Sequence, residues 1–113
     1  MNVSKLDRMF QETLMKENPQ SIFGGATECI HHFLPKSLGL SLRWYVKDGI
    51  PVTVKQHNEI HGKDGKKMEE RIIEIKGKEW LKDLYAQRMK LAKYAKEEDI
   101  IKHIKGEKEN YAS

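Results

Sequence analysis

Cys29-Ile30-His31-His32-Phe33-Leu34 and, after a turn at Lys47-Asp48-Gly49, Ile50-Pro51-Val52-Thr53-Val54-Lys55-Gln56-His57-Asn58-Glu59-Ile60-His61 form the stretch whose reading decides the fold. Four of the chain's five histidines fall inside it, and His103 is the fifth. Residues 27–33 have strand character, and Pro35-Lys36-Ser37 ends it. Residues 38–46 are apolar-rich but interrupted by Gly39 and Arg43, so they read as an irregular loop. Lys47-Asp48-Gly49 is a strong turn signal. Residues 50–54 make a short strand whose Pro51 implies an edge or first-residue position. Residues 55–61 then form a short helix, closed by Gly62-Lys63-Asp64-Gly65. The predicted unit is strand, loop, strand, helix.

The chemistry follows from spacing. His57 and His61 stand at i and i+4, which stacks both imidazoles on one helix face. Neighbouring residues on an extended strand point to opposite sides, so one of His31 and His32 can join that pair around a metal. The other is left free to handle protons. That is the outline of a metal-dependent hydrolase site. A buried ring at each position would need partners for two nitrogens, and an exposed pair has no packing reason for the spacing. The motif is unlike the His-Glu-x-x-His of zinc peptidases, because Asn58 occupies the position of the base and Glu59 follows it. On a helix that slip rotates the carboxylate about 100° away.

Outward from this stretch the pattern is helical. Val3, Leu6, Phe10, Leu14 and Met15 recur every three or four residues, with Ser4 as N-cap and Asn18-Pro19 as the stop. Residues 20–26 are a loop containing Gly24-Gly25. Beyond Gly65, Met68, Ile72 and Ile73 and then Trp80, Leu81, Leu84, Tyr85, Met89 and Leu91 predict two helices broken at Gly77. Ile100, Ile101 and Ile104 predict a last short helix, and residues 106–113 a solvated tail.

With 113 residues the chain is one domain, with a core unit at 27–62 and a helical extension at 66–105. Its 21 Lys and Arg against 17 acidic residues give a net charge of +4 and a pI near 9.1. That excess permits DNA or RNA as a partner without demanding one, and the Lys/Glu alternation of the later helices reads first as an exposed face. One cysteine excludes an internal disulfide and Cys-x-x-Cys zinc knuckles. No apolar run approaches the ~20 residues of a membrane span and the N-terminus has no signal core, so the expectation is a cytoplasmic protein with no membrane partner.

Residues 28–62 resemble the HNH nuclease motif, the ββα-metal (His-Me) finger of colicin-type DNases, homing endonucleases and small phage and restriction nucleases. The likeness is carried by Glu28 to Ser37 and by Asp48 to Gly62, including Asp48-Gly49-Ile50-Pro51 where that family commonly has Asn-Gly-Ile-Pro. It implies a small α+β protein with a ββα-metal core, an N-terminal helix and two or three C-terminal helices. It implies His31 as the strand ligand, His57 and His61 as the helix ligands, and His32 as general base, the three-histidine variant of the site. One divalent ion is then expected, magnesium, manganese, nickel or zinc, with the substrate a phosphodiester of DNA, or of RNA. Three neutral imidazoles leave the ion its full charge and an open position for a phosphate oxygen. A phage or mobile-element origin, with action in the host cytoplasm, follows from the same likeness.

The chain also departs from that pattern. Asp48 stands in place of the bracing Asn; it is either a carboxylate that orients His32 or only a turn residue. Thr53 occupies a common cysteine position, so no structural zinc is expected. Arg43 either reaches a phosphate beside the cut or forms a salt bridge over the core. Lys36 and Lys55 bracket the finger as contacts to the nucleic-acid backbone or as solvated lysines. Trp44 and Trp80 read as core, and His103 as incidental. The competing reading is a non-catalytic nucleic-acid-binding or adaptor protein that keeps the finger as a structural element.

Overall fold

A computed structural model describes residues 1–35, 40–89 and 96–106. Its elements in order are α1 (Val3–Glu17), β1 (Cys29–His32), α2 (Leu40–Arg43), a 3-10 turn (Val46–Asp48), β2 (Gly49–Val52), α3 (Val54–Ile60), α4 (Gly65–Lys76), α5 (Lys78–Arg88) and α6 (Glu97–Lys105). The domain is α+β, a two-stranded antiparallel sheet set among helices. No helix among the described residues is long and apolar enough to cross a membrane.

The register pairs Cys29 with Val52, Ile30 with Pro51, His31 with Ile50 and His32 with Gly49. Because side chains alternate, Ile30 and His32 face α1 while His31 and Ile50 face the opposite side. Pro51 costs no ladder bond at its position. Its carbonyl turns outward to accept from Ile22 N–H at 2.9 Å. The N–H and C=O of Ile30 opposite also turn outward, and the Gln11 amide meets both at 2.9 Å. One side chain of α1 thus satisfies both backbone groups of a strand residue.

The sheet separates two cores. Leu6, Phe10 and Leu14 of α1 pack with Ile30, Trp44, Ile100 and Ile104 on one side. Phe33, Leu42, Ile50, Val52, Ile60, Met68, Ile72 and Leu84 form the other. The four-residue spacing of the α1 stripe is what places it on the sheet. The N-cap of α1 is Asn2, whose side chain accepts from Lys5 N–H at 3.0 Å, and not Ser4. The segment 38–46, expected as an irregular loop, contains α2 instead. Leu42 and Trp44 are buried there, so its apolar residues serve the two cores. Gly77 separates α4 from α5 at φ +95°, a conformation that favours glycine. Trp44 is 2% exposed and belongs to the core as expected, while Trp80 is partly buried at its margin, packing its ring on Phe33 and donating Nε1–H to the Lys47 carbonyl.

Candidate metal centre and its flanking histidine

Thr53 begins α3 by a capping box: its side chain accepts from Gln56 N–H, and Gln56 accepts from Thr53 N–H. Gln56 is held in turn by Ser21 Oγ–H and by its own bond to the Gly24 carbonyl, so the loop at 20–26 fixes the start of the helix. Thr53 therefore has a helix-capping function. With the start fixed, His57 lies one turn into α3 and His61 is its C-cap.

The three expected ligands converge. His31, His57 and His61 each present a ring nitrogen, and these nitrogens all lie within 4.8 Å of one another. His57 Nε2 and His61 Nε2 are 3.2 Å apart. Two nitrogens on one tetrahedral zinc at ~2.0–2.1 Å are separated by about 3.3 Å. Burial grades across the group, from buried His31 through partly buried His57 to exposed His61, so the cluster opens on one side to solvent.

The electrostatics suit a cation. His31 is 5% exposed, and its Nε2 is buried with no hydrogen-bond partner among the described residues. A buried orphan imidazole nitrogen is costly unless something accepts its lone pair. Burial first, then the neighbouring His57, His61 and His32, lower the His31 pKa to about 4. Burial and His61 lower that of His57 as well. Both rings are thus kept neutral, the form that binds a metal. The residues fit a three-nitrogen site with room for outside ligands.

His32 belongs to a different environment. Its ring stacks on Phe10 with centroids 5.0 Å apart, and Nε2 lies 2.9 Å from the Arg43 carbonyl. A carbonyl only accepts, so Nε2 carries the proton and the basic lone pair resides on Nδ1. Arg43 itself is paired by two bonds to Asp7, at 3.0 Å from Nε and 2.7 Å from a terminal nitrogen, and its guanidinium lies over the Trp44 ring. Of its two readings, the salt bridge over the core is the one formed here. Lys55 is exposed in the first turn of α3, and Lys36 lies outside the described residues.

Asp48 is fully buried, and its Oδ1 accepts from Leu34 N–H at 2.7 Å. Its backbone carbonyl accepts from Phe33 N–H, so Asp48 clamps the chain leaving His32 to the start of β2. It makes no hydrogen bond to the His32 ring, and Oδ2 has no partner among the described residues. Burial pushes its pKa up from 3.8 to about 7, against a smaller lowering by the Leu34 N–H. Between those values the unfolded chain is ionised there and the folded chain is not. The folded state therefore holds the extra proton, and stability declines as pH rises through that window, by at most about 1.4 kcal/mol per unit. Asp48→Asn keeps the Leu34 bond without an ionisable group. Thermal melts are expected to show it more stable than the parent at pH 8, with the gap vanishing by pH 4. A gap that grows on acidification would mean that the carboxyl is ionised in the fold.

Sequence periodicity did not reveal Asp7 or His103. His103 Nε2 accepts from Val46 N–H at 3.1 Å and its ring stacks on Tyr45, so it is structural and not incidental. The available signal was position: Asp7 lies beside the Leu6–Phe10–Leu14 stripe, and His103 beside Ile100 and Ile104. Compared with known proteins, the chain matches no family model, no curated protein and no solved structure.

Proposed function

We propose that the chain is a metal-dependent endonuclease of the ββα-metal type, hydrolysing phosphodiester bonds of DNA. The observation that carries the reading is the division of labour within one dipeptide. His31 brings a ring nitrogen into the cluster with His57 and His61 and has a buried, unpartnered Nε2, and His32 turns to the other face with its tautomer fixed by the Arg43 carbonyl. A purely structural metal site has no use for the second arrangement.

In this reading His31, His57 and His61 hold one divalent ion. An all-imidazole donor set favours zinc, nickel or a similar transition metal over magnesium, which prefers oxygen ligands. When bound, such an ion supplies Lewis-acid stabilisation of charge on the phosphate and on the leaving 3′ oxygen. His32 Nδ1 accepts the proton of the attacking water as that water's oxygen bonds to phosphorus and the P–O3′ bond breaks. Asp48 shapes the loop that follows His32, and Lys55, Lys36 and any unpaired N–H of Arg43 contribute contacts to the phosphate backbone.

The test is incubation of the purified protein with supercoiled plasmid and zinc, nickel, manganese or magnesium, with and without chelator. Relaxed and linear products that disappear with chelator are expected. Zinc or nickel at about a hundredfold above Kd should also stabilise the fold by about 2.7 kcal/mol, and His57→Ala should remove that stabilisation. An unchanged melt in excess metal would overturn the metal site. A shifted melt without cleavage would establish the structural-element reading instead.

A further inference from the structure

From the last residue of α2 into the 3-10 turn before β2, five consecutive residues are tied to four points elsewhere in the fold. Arg43 and Trp44 both donate to the Asp7 carboxylate of α1, Trp44 through Nε1–H at 2.9 Å. Tyr45 donates its hydroxyl to Asp83 of α5 at 2.6 Å. Val46 donates its N–H to His103 of α6, and the Lys47 carbonyl accepts from Trp80 of α5. Ties of this density on a short segment hold particular backbone atoms in place. The Arg43 carbonyl is the atom among them that meets the His32 ring.

Asp7 anchors both residues that flank that carbonyl, taking three N–H groups from them. On the same helix, three residues further along and hence on the same face, Phe10 stacks on a face of the His32 ring. Helix α1 therefore grips His32 twice, directly through Phe10 and indirectly through Asp7.

We propose that Asp7 is a positioning residue for His32: by fixing Arg43 and Trp44 it holds the Arg43 carbonyl where it keeps the His32 proton on Nε2 and the lone pair on Nδ1. The kinetic consequence rests on the nuclease reading; the structural one does not. Asp7→Asn preserves size and one acceptor, but its amide N–H groups replace an acceptor and leave Arg43 with a donor facing a donor. Asp7→Ala removes all three bonds.

Two readouts test this. Long-range proton–nitrogen correlation spectra of the labelled, metal-free protein report the tautomer of His32, which a merely structural role for Asp7 would not move. The parent is expected to show the Nε2–H form, Asp7→Asn a mixture, and Asp7→Ala a larger share of Nδ1–H. In plasmid cleavage, kcat is expected to fall about ten- to a hundredfold with KM near the parental value. If Asp7→Ala fails to fold, Asp7→Asn carries the test. A cooperatively folded Asp7→Asn with the parental tautomer and parental kcat would overturn the proposal while leaving the nuclease reading intact. A shifted tautomer in a protein whose parent does not cleave would uphold the positioning of His32 and overturn the nuclease reading.

Discussion

His32→Ala is expected to lower plasmid cleavage by ~10²–10⁴-fold, the range for loss of a general base. The metal-dependent gain in melting temperature should survive, because the His32 ring faces Phe10 and the Arg43 carbonyl while the ligand nitrogens lie across the strand. Some stability is lost with the stacked ring and its hydrogen bond, about 1–2 kcal/mol together, which leaves the fold in place. His31→Ala and His57→Ala should behave oppositely, losing the metal response together with activity. Single-turnover cleavage at saturating metal, with melting curves on the same samples, separates the two. A His32→Ala protein that cuts plasmid at the parental rate would show that the proton leaves by another route.

Gly65→Ala is expected to destabilise the fold by about 3 kcal/mol, among the largest effects of adding a single methyl group. A Cβ on Gly65 would lie 2.1 Å from the Ile60 carbonyl oxygen, a backbone atom that cannot rotate away. Alanine is the better helix former by about 1 kcal/mol, so propensity alone predicts a gain at this helix position. The overlap outweighs it. Relief requires α3 and α4 to separate at the point where the chain carries Ile60 and His61, so weaker metal affinity should accompany a fall in melting temperature of about 10–15 °C. Thermal unfolding with and without zinc checks both. An unchanged or raised melting temperature would mean that the two helices are less closely packed than described.

The elements that rest on local pattern were legible in the sequence. The i,i+4 spacing of His57 and His61, the alternation of His31 and His32, the turn before Ile50 and the break at Gly77 all concern residues a few positions apart. Backbone geometry relates such residues before any tertiary contact forms. The short helix at Leu40–Arg43 was not legible, because four residues are too few to establish a period and its Gly39 neighbour reads as a breaker. Nor were the contacts of Asp7 with Arg43, Gln11 with Ile30, or His103 with Val46. A hydrophobic stripe announces that a helix face is covered and does not name what covers it. Polar residues along its margin hold that information only once the partner is known. Arg43 illustrates the point: its sequence neighbourhood suited a phosphate contact and a salt bridge equally, and an acidic residue 36 positions away decides which one forms.

The Gln11 amide has a further meaning for a sheet of only two strands. Both strands are edges, and an unpaired strand edge is a template on which another chain can add. At Ile30 that template is filled, donor for acceptor and acceptor for donor, by a side chain imitating a neighbouring strand. Helix α1 is thereby a guard on the sheet as well as a wall of the core. Loosening it would uncover an adhesive edge beside a freshly exposed apolar stripe, so partial unfolding of this protein leads towards aggregation from its N-terminal side.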